Sequence, residues 1–152
     1  MYVIYHGTGR IIIGSILSKI HLNSFDINIL DSIKTKDALC SLHKIERQAI
    51  GRLVFLGRDQ HENEVFLLNT IAAETIIIPA LLSVFDIHGI DKKEILLVDT
   101  GSMSDIFYYL GSLFMGISLL NSYGVNLIKF AINRHRGKIL NILDTTKAKT
   151  EK

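Results

Sequence analysis

Three short polar loops hold the residues best suited to chemistry, and each follows an apolar run. His6-Gly7-Thr8-Gly9-Arg10 follows Val3-Ile4-Tyr5. Asp99-Thr100-Gly101-Ser102 follows Ile95-Leu96-Leu97-Val98. Asn133-Arg134-His135-Arg136-Gly137 follows Asn126 to Ile132. In open α/β sheets ligands bind outside the carboxyl ends of the strands, so all three loops stand where a ligand belongs.

The first loop is the most suggestive. Glycines let backbone N–H groups approach a ligand, and the N-terminus of the following helix favours an anion. Thr8 adds a hydroxyl, Arg10 a positive fork, and His6 a titratable group able to act as acid or base. The set Gly7, Thr8, Gly9 and Arg10 fits a phosphate. It is neither a P-loop nor a dinucleotide fingerprint, because no Gly-Lys-Ser/Thr and no third glycine follow. The competing reading is a tight turn that needs glycine, with His6 as a hydrogen-bonded structural residue. Asp99 and Thr100 form the second candidate set, with Asp99 capping its own turn as the alternative. Arg134 and Arg136 form the third, with a solvated basic surface as the alternative.

Other chemistries lack their residues. The six histidines form no ligand spacing, and Cys40 is the single cysteine, so neither a metal site nor a cofactor is expected. One cysteine also excludes an internal disulfide. There is no Gly-x-Ser-x-Gly elbow for a nucleophilic serine. Without aromatics among the basic residues, the pattern argues against nucleic acid.

The elements that must position these loops follow from periodicity. Ile13, Ile16, Leu17 and Ile20 give a helical stripe over about residues 10–22. A second helix runs from near Thr35 to Gly51. Leu53–Leu56 and Val65–Leu68 predict strands joined as a β-hairpin. Pro79 belongs in a first turn, which starts the next helix near Ile78 and ends it at Gly89. Ile27 to Leu30 reads as a short extended piece. After the strand at Ile95–Val98, a helix from about Ser104 to Leu120, a turn at Tyr123–Asn126, a strand over Asn126–Ile132 and a helix over Gly137–Lys147 complete the chain. The expected fold is α/β: a single three-layer domain over residues 1–147, with a mostly parallel sheet of about five strands, one hairpin and helices on both faces. Residues 148–152 form a polar tail that is expected to fray.

Composition sets the class. Hydrophobic residues are 48% of the 152, enough for a core and too many for a disordered chain. The net charge of +2 hides an asymmetry: residues 1–105 carry −3 and residues 106–152 carry +5. No charge falls between Asp105 and Lys129. That stretch is interrupted by Asn121, Asn126 and three serines, so it reads as buried helix, turn and strand rather than as a membrane span. The N-terminus lacks a basic region and cleavage site, so a cytoplasmic location is expected.

The blocks also resemble a family. Tyr5-His6 with Gly9, His21-Leu22, Ile50 to Gly57, Asp59, Asn63-Glu64-Val65, Ile78-Pro79-Ala80-Leu81 and Leu97-Val98-Asp99-Thr100 occur in the order and spacing of an uncharacterised bacterial family. It is known chiefly from spore-forming Gram-positives as domain of unknown function three-one-eight-nine. The chain resembles it over nearly its whole length. Arg10-Ile11-Ile12-Ile13 replaces the family's polar loop, and Gly111 to Gly116 replaces its Gly-Gly-Phe-Leu-Ser-Arg block. The resemblance therefore implies a copy with degenerate loop motifs, and it brings no established activity.

The leading expectation is a non-catalytic or catalytically decayed α/β protein that acts by binding or assembly, with a second copy of itself as partner. The alternative is an enzyme or sensor that binds a phosphorylated small molecule on the Gly-Thr-Gly-Arg loop.

Overall fold

A computed structural model of the chain describes residues 1–7, 12–26, 35–103 and 105–151. Among these lie four strands and five α-helices: β1 (Tyr2–Gly7), α1 (Ile13–His21), α2 (Thr35–Gln48), β2 (Leu53–Arg58), β3 (Glu64–Asn69), α3 (Glu74–Ile87), β4 (Ile95–Asp99), α4 (Ile106–Met115) and α5 (Asn121–Thr150). The expected extended piece over Ile27–Leu30 lies outside the described residues.

The strands form one mixed sheet in the order β2-β3-β1-β4. β1 pairs in parallel with β3 and β4, and β2 pairs antiparallel with β3. The hairpin is as the sequence predicts. The mostly parallel five-stranded sheet is not: there are four strands, and one of the three pairings is antiparallel.

Side chains alternate across a strand, so β1 divides its residues between two faces. Val3 and Tyr5 join Val65, Leu67 and Val98 under α1, α2 and α5, and this side holds the core. Ile13, Ile16 and Leu17 of α1 are fully buried there. Each such side chain contributes about 1.5–3 kcal/mol through area removed from water. Tyr2 points the other way, with its ring 5.5 Å from Phe85 of α3. Helices thus cover both faces, but unequally. α3 buries no residue completely and leaves Ile76, Val84 and Ile87 exposed.

The missing fifth strand is part of α5. Val125, Ile128, Ile132, Ile139, Leu143 and Thr146 are buried at three-, four- and seven-residue spacings, which is a helical stripe rather than an alternation. Gly124 reads as a turn in sequence but serves close packing here. A Cβ on it would stand 2.7 Å from the Gly111 carbonyl oxygen and 2.6 Å from the Met115 nitrogen. Bare backbone at Gly124 therefore lets α5 lie against α4.

Three smaller expectations also change. α4 is shorter than the predicted helix and is not buried all round, since Ile106, Tyr109 and Leu113 are exposed. Pro79 lies inside α3, which begins at Glu74. The expected frayed tail is helical as far as Thr150, whose side chain is buried and whose carbonyl accepts from Asn63 Nδ2 at 3.3 Å. No helix among the described residues is long and apolar enough to cross a membrane.

Candidate functional site

His6 and Asp99 are register partners at the carboxyl ends of β1 and β4. Glu74 stands in the first turn of α3, the helix that follows β3. His6 Nδ1–H donates to Glu74 Oε1 at 3.1 Å. One ligating atom from each of His6, Glu74 and Asp99 falls within 4.8 Å of the other two. Three segments far apart in sequence thus bring one imidazole and two carboxylates together at one sheet edge.

The backbone beneath this cluster is tightly tied. The Thr100 N–H and hydroxyl both donate to the His6 carbonyl at 2.8 Å. The Thr70 N–H and hydroxyl donate to the Gly7 carbonyl at 3.0 and 2.9 Å. Gly7 is required by closeness, because the Thr100 hydroxyl fills the space a Cβ would take. Its backbone angles are not those of a left-handed turn.

The hydrogen bond assigns the tautomer. An ionised Glu74 can only accept, so a proton sits on Nδ1, and in the neutral imidazole Nε2 then carries the lone pair. A carboxylate-oriented imidazole of this kind serves as a general base or as a metal ligand. One imidazole with two carboxylates suits a divalent cation of intermediate hardness. Asp99 spends Oδ1 on the Gly101 N–H at 2.7 Å, the expected cap, and keeps Oδ2 for a ligand. No metal site was expected from sequence, because the three groups share no local spacing.

Thr8, Gly9 and Arg10 lie outside the described residues. The helix behind them is described, and its first turn already holds a carboxylate. Ser15 N–H of α1 donates to Glu46 Oε2 at 2.9 Å, and Asn69 Nδ2 donates to Glu46 Oε1 at 3.2 Å. Burial pushes Glu46 up to about 7, against the opposing effect of these hydrogen bonds. The anion expected at this helix N-terminus therefore has a resident rival from α2.

Arg134 and Arg136 need correction. Both lie in the middle of α5 rather than in a loop after a strand, because the strand expected before them is helix. Arg134 reaches Asp105 at 3.8 Å and lies 5.7 Å from the Phe107 ring centre. His135 Nε2 pairs with the same Asp105 at 2.8 Å. This pairing, with the Phe107 N–H and the nearby Arg134 charge, holds the Asp105 carboxyl below its usual range against a smaller effect of burial.

A further histidine–carboxylate pair, the most deeply buried, lies under the core face. Tyr5 O–H donates to His21 Nδ1 at 2.7 Å, and His21 Nε2–H donates to Asp59 Oδ2 at 3.1 Å. Asp59 also accepts the backbone N–H groups of His61 and Asn63 at 2.8 and 2.9 Å. Burial pushes the Tyr5 hydroxyl up and His21 down. Burial also works to raise Asp59, but the hydrogen bonds from Asn63, His61 and His21 outweigh it and hold the carboxyl low.

Sequence reasoning missed Glu74 and Glu46. Glu74 carried a weak signal as a first-turn acid after a strand end. Glu46 carried a better one: Leu39, Leu42, Glu46 and Ala49 share one helical face, which puts a carboxylate on the buried stripe.

A family described as "Protein of unknown function (DUF3189)" matches residues 2–148. The chain belongs to this family. The match spans every strand, the His6–Glu74, His21–Asp59 and His135–Asp105 pairs and Glu46. No curated protein and no solved structure matches the chain.

Proposed function

We propose that this member of the family binds a small phosphorylated molecule together with a divalent cation at the carboxyl edge of the sheet. The convergence of His6, Glu74 and Asp99 at the carboxyl ends of β1 and β4 and the start of α3 carries the reading. A bare phosphate arriving there would meet two carboxylates and be repelled. The same carboxylates would hold a divalent cation, which would supply the positive charge that attracts a phosphate. His6, oriented by Glu74, ligates the cation or takes a proton from a bound hydroxyl. In the sequence Gly7-Thr8-Gly9-Arg10 follows directly on His6, and these residue types suit a phosphate.

Thermal unfolding tests it, because a ligand that binds only the folded state raises the midpoint. Manganese alone, AMP or glucose 6-phosphate alone, and each phosphate with manganese are compared. The expected result is a small shift with manganese and a shift with both that exceeds the sum. Glu74→Gln and Asp99→Asn remove the manganese response, and Arg10→Ala removes the phosphate response. The absence of any shift at millimolar concentrations overturns the reading.

A further inference from the structure

The cleft between α2 and α4 is separate from the edge cluster, and its chemistry calls for a different ligand. It encloses about 420 Å³, within the range of small-molecule pockets. We propose that it binds a compact α-hydroxy acid with an apolar body.

Two buried polar groups lie in its lining. Glu46 is only 6% exposed, and each of its oxygens accepts one hydrogen bond, which leaves lone pairs for a ligand hydroxyl. Ser112 is 4% exposed, and its hydroxyl has no partner among the described residues. The Ser112 backbone is already used by the imidazole of His43, which burial and the neighbouring Arg47 keep neutral. His43 therefore adds no second positive charge.

Arg47 supplies the charge. It is exposed, it lines the cleft, and no carboxylate lies within ion-pair distance of it among the described residues. A guanidinium binds a carboxylate through two parallel hydrogen bonds, which fits the acid end of the ligand. Ile71, Leu113 and Tyr109 give the apolar wall. Ile71 is held with φ at +44°, a conformation rare for a β-branched residue, and its N–H donates to Asn69 Oδ1 at 3.1 Å. The same Asn69 donates to Glu46, so one side chain fixes both the wall and the polar floor.

The test is calorimetric titration of the full chain with phenyllactate. Saturable binding is expected at about millimolar or tighter dissociation constants. Arg47→Gln is expected to weaken it roughly tenfold, by loss of the charge-assisted pair. Arg47 is exposed, so the variant folds. Arg58→Gln, which makes the same charge change at an exposed site outside the cleft, leaves binding unchanged. Phenylpropionate, which lacks the hydroxyl, binds the native chain more weakly by roughly tenfold or less. Three results overturn the proposal: no saturable binding of phenyllactate at about 10 mM, undiminished binding to Arg47→Gln, or equal binding of phenylpropionate.

Discussion

Tyr5 and His6 are neighbours in β1, yet they open onto two histidine–carboxylate pairs of opposite character. His21 and Asp59 meet at 3.1 Å with side chains 2% and 4% exposed. His6 and Glu74 meet at the same distance with 12% and 29% exposed. In the first pair every ring nitrogen is used, since Tyr5 bonds one and Asp59 the other. In the second, one ring nitrogen remains for a ligand. The same contact is a structural tie where it is sealed and a candidate site where it is open. Burial and remaining hydrogen-bond capacity separate the two; distance does not.

The largest effect is expected at the sealed pair. Asp59→Ala strips the buried His21 of its acceptor and releases two backbone N–H groups, at a cost of about 3–5 kcal/mol. Urea denaturation measures it, and a loss below about 1 kcal/mol would make the pair no more structural than a surface contact.

Glu46 gives the next effect, and it has a sign. Its folded pKa of about 7 lies above the ordinary 4.5, so the folded state holds this proton more tightly. The stability it contributes is full below about pH 4.5 and is lost as pH rises through 7, a change of about 3 kcal/mol. His21 runs the other way: its lowered pKa gives stability that is present above 6.5 and falls as pH drops below it. Comparing native chain with Glu46→Gln at pH 5 and pH 8 cancels His21 and isolates Glu46. The variant should gain on the native chain by that amount at the higher pH. A parallel pH dependence in the two proteins would refute a buried, proton-holding Glu46.

The smallest stability effect is expected at the open pair. His6→Ala costs under about 1 kcal/mol, because a partly exposed pair contributes little. The same variant should abolish the manganese-induced shift. A loss as large as that of Asp59→Ala would erase the contrast between the two pairs.

Much of the fold was legible because strands β1 to β4 are short apolar runs with clear polar ends. The error over Asn126–Ile132 has a definite cause. Its apolar residues satisfy a strand over a short window, and only Ile139, Leu143 and Thr146 beyond it reveal the helical period. Gly124 compounded the error, because a glycine demanded by a neighbouring backbone looks in sequence like one demanded by a turn. Two of the three edge-cluster residues were legible: His6 and Asp99 end strands, which is a local property. Glu74 was not, because α1, α2, β2 and β3 intervene before α3 brings it to His6. The loop expected at Arg134 and Arg136 was lost with the strand expected before it, because both residues lie within α5.

The strand order has a kinetic meaning. β1 sits between β3 and β4, so the first strand to be synthesised is the last to find both neighbours. The β2–β3 hairpin needs only its own turn, whereas β1 must wait for residues 64–69 on one side and 95–99 on the other. Topologies dominated by such distant pairings fold in milliseconds to seconds rather than microseconds. Throughout that interval an apolar strand remains without its sheet, a liability during synthesis that the finished structure conceals.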